Sequence, residues 1–183
     1  MMARVVGDLP EITGPPLGSA EVELVPLDMI AHWDRCGATA DWAANLLAYN
    51  FDHRDAAANV LSTVINELLE NAVKFSSDKR RPIRLRVAQR ADRVLIETEN
   101  TADAGQARVL EAHVAAMFAD RGELFGRLIA RAAAGEVGAP GVGLLLVRRD
   151  FSATLGVELS PLDEDEQLVR VRVTLGADSL EPR

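Results

Sequence analysis

The stretch from Ala56 to Phe75 constrains the fold of this chain more than any other. Leu61, Val64, Ile65, Leu68, Leu69, Ala72 and Val73 recur at intervals of three and four, which collects apolar side chains on one side of an α-helix. Within it, "NELLENAVKFSS" from Asn66 to Ser77 also carries two carboxylates and two carboxamides. Positions four apart share nearly the same helical face, so Glu67 and Asn71 point the same way and flank the apolar stripe. Glu70 and Lys74 are also four apart, in the order that favours an ion pair, and an ordinary solvated face accounts for them equally well.

The remaining segments define what this helix packs against. "EVELVP" alternates like a strand, and Leu27 to about Tyr49 reads as helical with a break near Gly37. After "SSDKRRP" ends the long helix, "IRLRVAQ" and "RVLIETE" read as a hairpin around Arg90 to Asp92. Residues 103 to 135 return to an Ala-rich helical composition, and "GEVGAPGVG" then places four glycines in nine residues. Next comes "LLLVRRDFSATLG", helical at its start, followed by "VELSPL", the acidic turn "DEDEQ" and the alternating strand "LVRVRVTL". Strands that alternate apolar and polar need cover on one face only. The expected fold is therefore a two-layer α/β sandwich, a mixed sheet with helices on one face.

Residues 1 to 20 hold three of the eight prolines and read as a flexible arm. A single domain over residues 21 to 176 and a tail over 177 to 183 complete the expected organisation. Aromatic residues make up only 4% of the chain, so Ala, Leu and Val must fill the core. A net charge of −8 disfavours a protein whose main task is gripping nucleic acid. Cys36 is the only cysteine, which excludes an intrachain disulfide and a cysteine-based zinc site. No apolar run reaches signal-peptide or membrane-span length, and a cytoplasmic protein is expected.

"ELLENAVKFSS" resembles the N-box of the GHKL (Bergerat-fold) ATPase and kinase superfamily, which contains gyrase, histidine kinases and the anti-sigma-factor serine kinases. The resemblance implies that Asn71 ligates magnesium through its side-chain oxygen, a hard ligand suited to that ion. It implies that Glu67 acts as general base or orients the nucleophile, and that Lys74 reaches the phosphates. "GAPGVGLLLVRR" is similar to the second glycine box of the same family, with Gly141 and Gly143 ahead of Leu144. Glycine permits close backbone approach, and a helix starting just behind it aims free N–H groups at an anion. The first glycine box is altered: in "LIETENTADAG", Glu99 stands where the family has an adenine-binding aspartate, Asn100 follows, and Thr101 replaces the first glycine. The nucleotide lid of the family corresponds to residues 103 to about 140.

The histidines do not point elsewhere. Only thirteen residues separate His53 from Glu67, too few for a separate phosphotransfer hairpin, and His32 with Cys36 offers two ligand-like positions without a third. His113 falls in the lid with no partner evident from sequence. A stand-alone domain of this kind looks most like the anti-sigma-factor-type serine/threonine kinases, including the SiaB-like branch. That implies binding of Mg-ATP and phosphorylation of a Ser or Thr on a small STAS-like or anti-sigma-factor-antagonist-like partner, with a homodimer left open and no role for nucleic acid or membrane. Two other readings stand beside it. One is a non-catalytic GHKL-fold module that has lost ATP through its altered first box and regulates a partner by contact; the other is a simple ATPase.

Overall fold

The computed structural model describes residues 2–90, 92–119, 126 and 142–180. Six strands form one sheet: β1 (Arg4–Gly7), β2 (Pro16–Leu24), β3 (Ile83–Arg90), β4 (Arg93–Asp103), β5 (Thr154–Pro161) and β6 (Glu166–Gly176). Their spatial order is β1-β5-β6-β4-β3-β2. The helices are α1 (Pro26–Ala31), α2 (Asp34–Ala48), α3 (Arg54–Phe75), α4 (Ala104–Ala119) and α5 (Val142–Asp150). The two-layer α/β sandwich is as expected, with one refinement. All five strand pairings are antiparallel, so the sheet is not mixed.

α3 is the central helix. Its stripe is fully buried, with Leu61, Val64, Ile65, Leu69 and Val73 at 0% exposure. One side meets β3 and β4, and another meets α2, whose buried face is mostly small: Cys36, Ala40, Ala43 and Ala44. Small side chains let the two helices approach closely, which is how a core poor in aromatic residues reaches normal density. The helix stops at Phe75, where the Ser76 hydroxyl donates to Ala72 O at 2.7 Å. The Lys79 ammonium donates to Val73 O and Lys74 O at 2.7 and 2.9 Å, placing a cation on carbonyls that have no helical partner. Burial pulls the Lys79 pKa down.

Among the described residues, no helix covers the other face of the sheet. Cross-strand register aligns Glu23, Arg84, Glu99, Arg170 and Glu158 in a row across five strands, alternating in sign. Successive contacts along it are 2.9, 3.3, 2.8 and 2.7 Å. A second row brings Arg172 to Glu97 at 2.7 Å. Opposite charges set directly across a ladder support the pairing, and together they let this face meet water.

Three expectations are corrected. The supposed N-terminal arm contains β1, a four-residue edge strand that pairs with β5, which also lies far away in sequence. Arg4 fastens it to Glu111 of α4 at 3.1 Å. Gly7 ends it at φ +82°, where an added Cβ would meet Leu155 O at 2.6 Å. The tail begins with a 3₁₀ turn at Ala177–Ser179 that delivers Leu180 into the core at 1% exposure. The helical break falls at His32 and Trp33, between α1 and α2, while Gly37 sits inside α2 with open space beside it.

Candidate functional site

Between α3, α4 and the helix-covered face of the sheet lies a cavity of about 220 Å³. Thr98, Asn100 and Ala102 of β4, with Val169 and Val171 of β6, form its floor. Leu68, Asn71, Ala72 and Phe75 supply one wall, and Gln106, Leu110 and His113 are on the opposite one. Leu144 of α5, buried beside Gly143, closes one side. Among the described residues, none that lines it is an Asp, Glu, Lys or Arg.

α4 begins at this cavity with reciprocal capping. The Gln106 N–H donates to Asp103 Oδ1 at 2.8 Å, and the Gln106 side-chain amide donates back to Asp103 Oδ2 and to Phe75 O, each at 3.1 Å. Two polar atoms on the cavity wall lack partners among the described residues: Asn71 Nδ2 and His113 Nε2, both buried. An unmatched buried donor or acceptor costs about 1–3 kcal/mol, so such atoms call for a ligand.

Glu67 and Gly143 come together although 76 positions separate them in sequence. A Cβ added at Gly143 would collide with the Glu67 carboxylate, so glycine here makes room for the acid. Glu67 is half-buried, and its pKa is raised, first by desolvation and then by the nearby charge of Glu70, with Lys74 opposing. Glu70 goes the other way. Burial alone would raise it, but hydrogen bonds from the Lys74 ammonium at 2.8 Å and the Asn66 amide at 3.0 Å carry it below the usual value. Two carboxyls one turn apart thus differ in character, and the less stabilised anion is the one beside Gly143.

The sequence-predicted residues divide accordingly. Glu67, Gly143 and Leu144 meet at one end of α5; Asn71, Asn100 and Leu144 share the cavity. Lys74 pairs with Glu70 and stands 5.4 Å from the centre of the Trp33 ring, the ordinary ion pair. Gly141, and the expected lid beyond Ala119 apart from Gly126, lie outside the described residues.

Glu99 is not in the cavity. Successive strand residues face opposite ways, and Val94 and Ile96 on the core face put Thr98 and Asn100 there, leaving Glu97 and Glu99 on the open face. Glu99 is the middle of the charged row, held by Arg84 and Arg170. Nor does the strand turn at this point. Thr101 continues it, opposite Leu168 on β6, and its carbonyl accepts from the Ser77 N–H at 2.8 Å. The residue that β4 does aim into the cavity is Asn100. Its Nδ2 donates to Thr101 O at 3.1 Å, so Oδ1 is the acceptor this side chain has to offer. Sequence reasoning included Asn100 among the nucleotide-binding candidates but left His113 without a role, and nothing local to "EAHVAA" signals that His113 lines a cavity.

A family model described as "Histidine kinase-, DNA gyrase B-, and HSP90-like ATPase" matches residues 56–179, which span α3 through the 3₁₀ turn. Among solved structures, "The crystal structure of SiaB-SiaC complex from Pseudomonas aeruginosa" contains a similar chain. The TM-score is 0.60 at 16% identity, over 87% of this chain and 91% of that one, a likeness of fold. No curated protein matches.

Proposed function

The chain belongs to the histidine kinase-, DNA gyrase B- and HSP90-like ATPase family, and from that premise we propose that it is a protein serine/threonine kinase acting on a small partner protein. The observation that carries this reading is the juxtaposition of Glu67 with Gly143 beside a cavity that contains an unpartnered Asn71 amide. A module that only held ATP would have no use for a desolvated carboxylate at the glycine box. A transferase has one.

In this reading the nucleoside part of ATP enters the cavity, where Asn100 Oδ1 accepts from the adenine amino group in place of the family's aspartate. Asn71 is on the cavity wall and would hold magnesium through its Oδ1, an oxygen ligand of the hard type this ion takes alongside phosphate oxygens, while its unsatisfied Nδ2 is a donor that takes no metal. The ion, when bound, neutralises charge on the β- and γ-phosphates. The backbone at Gly143 can approach the phosphates without a side chain in the way. Glu67 accepts the proton of the partner's Ser or Thr hydroxyl as its oxygen bonds to the γ-phosphorus; the bond from that phosphorus to the β–γ bridging oxygen breaks, and ADP leaves. The raised pKa of Glu67 brings its basicity nearer to neutrality, which suits this step.

The partner class is read from the neighbouring fold, because SiaB was crystallised with a protein, SiaC. A small STAS-like or anti-sigma-factor-antagonist-like protein is the proposed substrate, encountered in the cytoplasm. Engagement of Glu99 by two arginines favours a second reading, a contact-only module without ATP. Calorimetric titration of ATP with and without magnesium, on wild type and Asn71→Ala, separates the two. Magnesium-dependent binding lost in the variant supports the kinase, and absence of binding by folded wild type supports the module.

A further inference from the structure

His113 belongs to α4, within the segment that aligns with the family's lid, and nothing in the proposed chemistry uses it. Its position is nonetheless specific. Gln106, Leu110 and His113 recur at four and three along α4 and line the same cavity, so His113 faces inward from the second turn after the helix start. Nε2 is buried and has no hydrogen-bond partner among the described residues. An imidazole nitrogen either donates or accepts, so a group left in this condition bears a desolvation cost that only an incoming ligand removes.

The surroundings define the ligand's character. Among the described residues the cavity has no lining Asp, Glu, Lys or Arg, and Leu110 of α4 with Val169 and Val171 of β6 give it apolar surface. A phosphate would be poorly served there, since an anion needs cations or several convergent donors to offset its desolvation. A flat heteroaromatic ring with a few edge acceptors and donors fits better. At about 220 Å³ the cavity is smaller than the roughly 300–1,000 Å³ of a typical whole-ligand site, which again suits one part of a nucleotide rather than all of it.

We propose that His113 is a specificity-determining residue that hydrogen-bonds the nucleobase through Nε2, adding a reader from α4 to the acceptor supplied by Asn100 on β4. This rests on the nucleotide reading of the site. Base recognition in this chain is then shared between two side chains, one from α4 and one from β4, and the carboxylate at Glu99 takes no part in it.

Equilibrium binding of adenosine, and separately of magnesium tripolyphosphate, to wild type, His113→Leu and His113→Gln tests the proposal. His113→Leu should bind adenosine about tenfold more weakly, the value of one hydrogen bond, and bind tripolyphosphate as wild type does. His113→Gln, whose amide reaches the place of Nε2, should recover most of the loss. Melting of the unliganded variants controls for folding: replacing an unsatisfied buried nitrogen with an apolar side chain should leave the melting temperature unchanged or higher. Adenosine affinity unchanged in His113→Leu would overturn the assignment, as would a loss confined to tripolyphosphate or a failure of His113→Gln to recover binding. If wild type bound neither adenosine nor ATP, the nucleotide reading would fall and this inference with it; if wild type bound both and His113→Leu matched it, only the inference would fall.

Discussion

The two faces of the sheet treat polar groups in opposite ways. On the open face, Glu23, Arg84, Glu99, Arg170 and Glu158 satisfy one another along a row built by strand register. On the covered face, Asn71 and His113 present buried atoms to a cavity and find no partner among the described residues. Both arrangements use residues that look alike in sequence, and Glu99 and Asn100 are neighbours that fall on different sides. Unpaired buried atoms also occur outside the cavity, at Gln167 and Thr174 of β6, so the difference teaches that a missing partner marks a candidate site only where it faces a cavity.

The largest effect should come from Glu67→Gln. It removes the proposed base and should slow phosphoryl transfer by about 10²–10⁴, measured as single-turnover phosphorylation of the partner. The same change should stabilise the fold at neutral pH. Because the folded pKa of Glu67 is raised, the folded state holds its proton more tightly than the unfolded chain does. Its contribution to stability therefore declines as pH rises from the ordinary glutamate value through the raised one, and the amide escapes that loss. A variant that is both less active and less stable at pH 7 would break the comparison, because Glu67 would then be serving the fold. In wild type, transfer rate should rise with pH across the same window.

Next in size is Asn71→Ala, which should lower ATP affinity by at least tenfold in the presence of magnesium and much less in its absence, read by calorimetry, with little change in melting. On the open face, Arg170→Ala should do the reverse. It leaves Glu97, Glu99 and Glu158 without their shared cation at a site that is 30% exposed, a loss on the order of 1 kcal/mol and a few degrees of melting temperature, with ATP binding intact. The smallest effect belongs to Glu99→Gln, which should change ATP affinity less than about twofold, since a charge on the far side of a sheet contributes little across it. A large loss of ATP binding in that variant would return Glu99 to base recognition and break the division between the faces.

Much of this was legible in the sequence because it depends on local periodicity. The stripe from Leu61 to Val73 gave α3 to within two residues at its start, and alternation gave β3, β4 and β6. What escaped depended on distant partners. β1 is too short to announce itself, and its identity as a strand comes from β5. Glu99 was placed by its resemblance to the end of a strand, whereas β4 continues to Asp103 because β6 pairs with it that far. The contact of Glu67 with Gly143 was foreshadowed by two separate motifs, but their meeting is a product of the packing of α5 on α3. His113 had no motif at all.

β1 and β2 are consecutive in the chain yet occupy the two opposite edges of the sheet, and Arg4 finds its register only against Leu159. For a chain made from the N-terminus onward, β1 thus emerges before β2 to β6 yet is seated only after β5. The helical core of α2 and α3 and the β2-β3-β4 ladder can assemble from local contacts while β1 waits for β5 to be synthesised. Completion of the domain is gated by the arrival of residues near 160, and until then β5's future neighbour is an unpaired segment trailing from an otherwise partly built sheet.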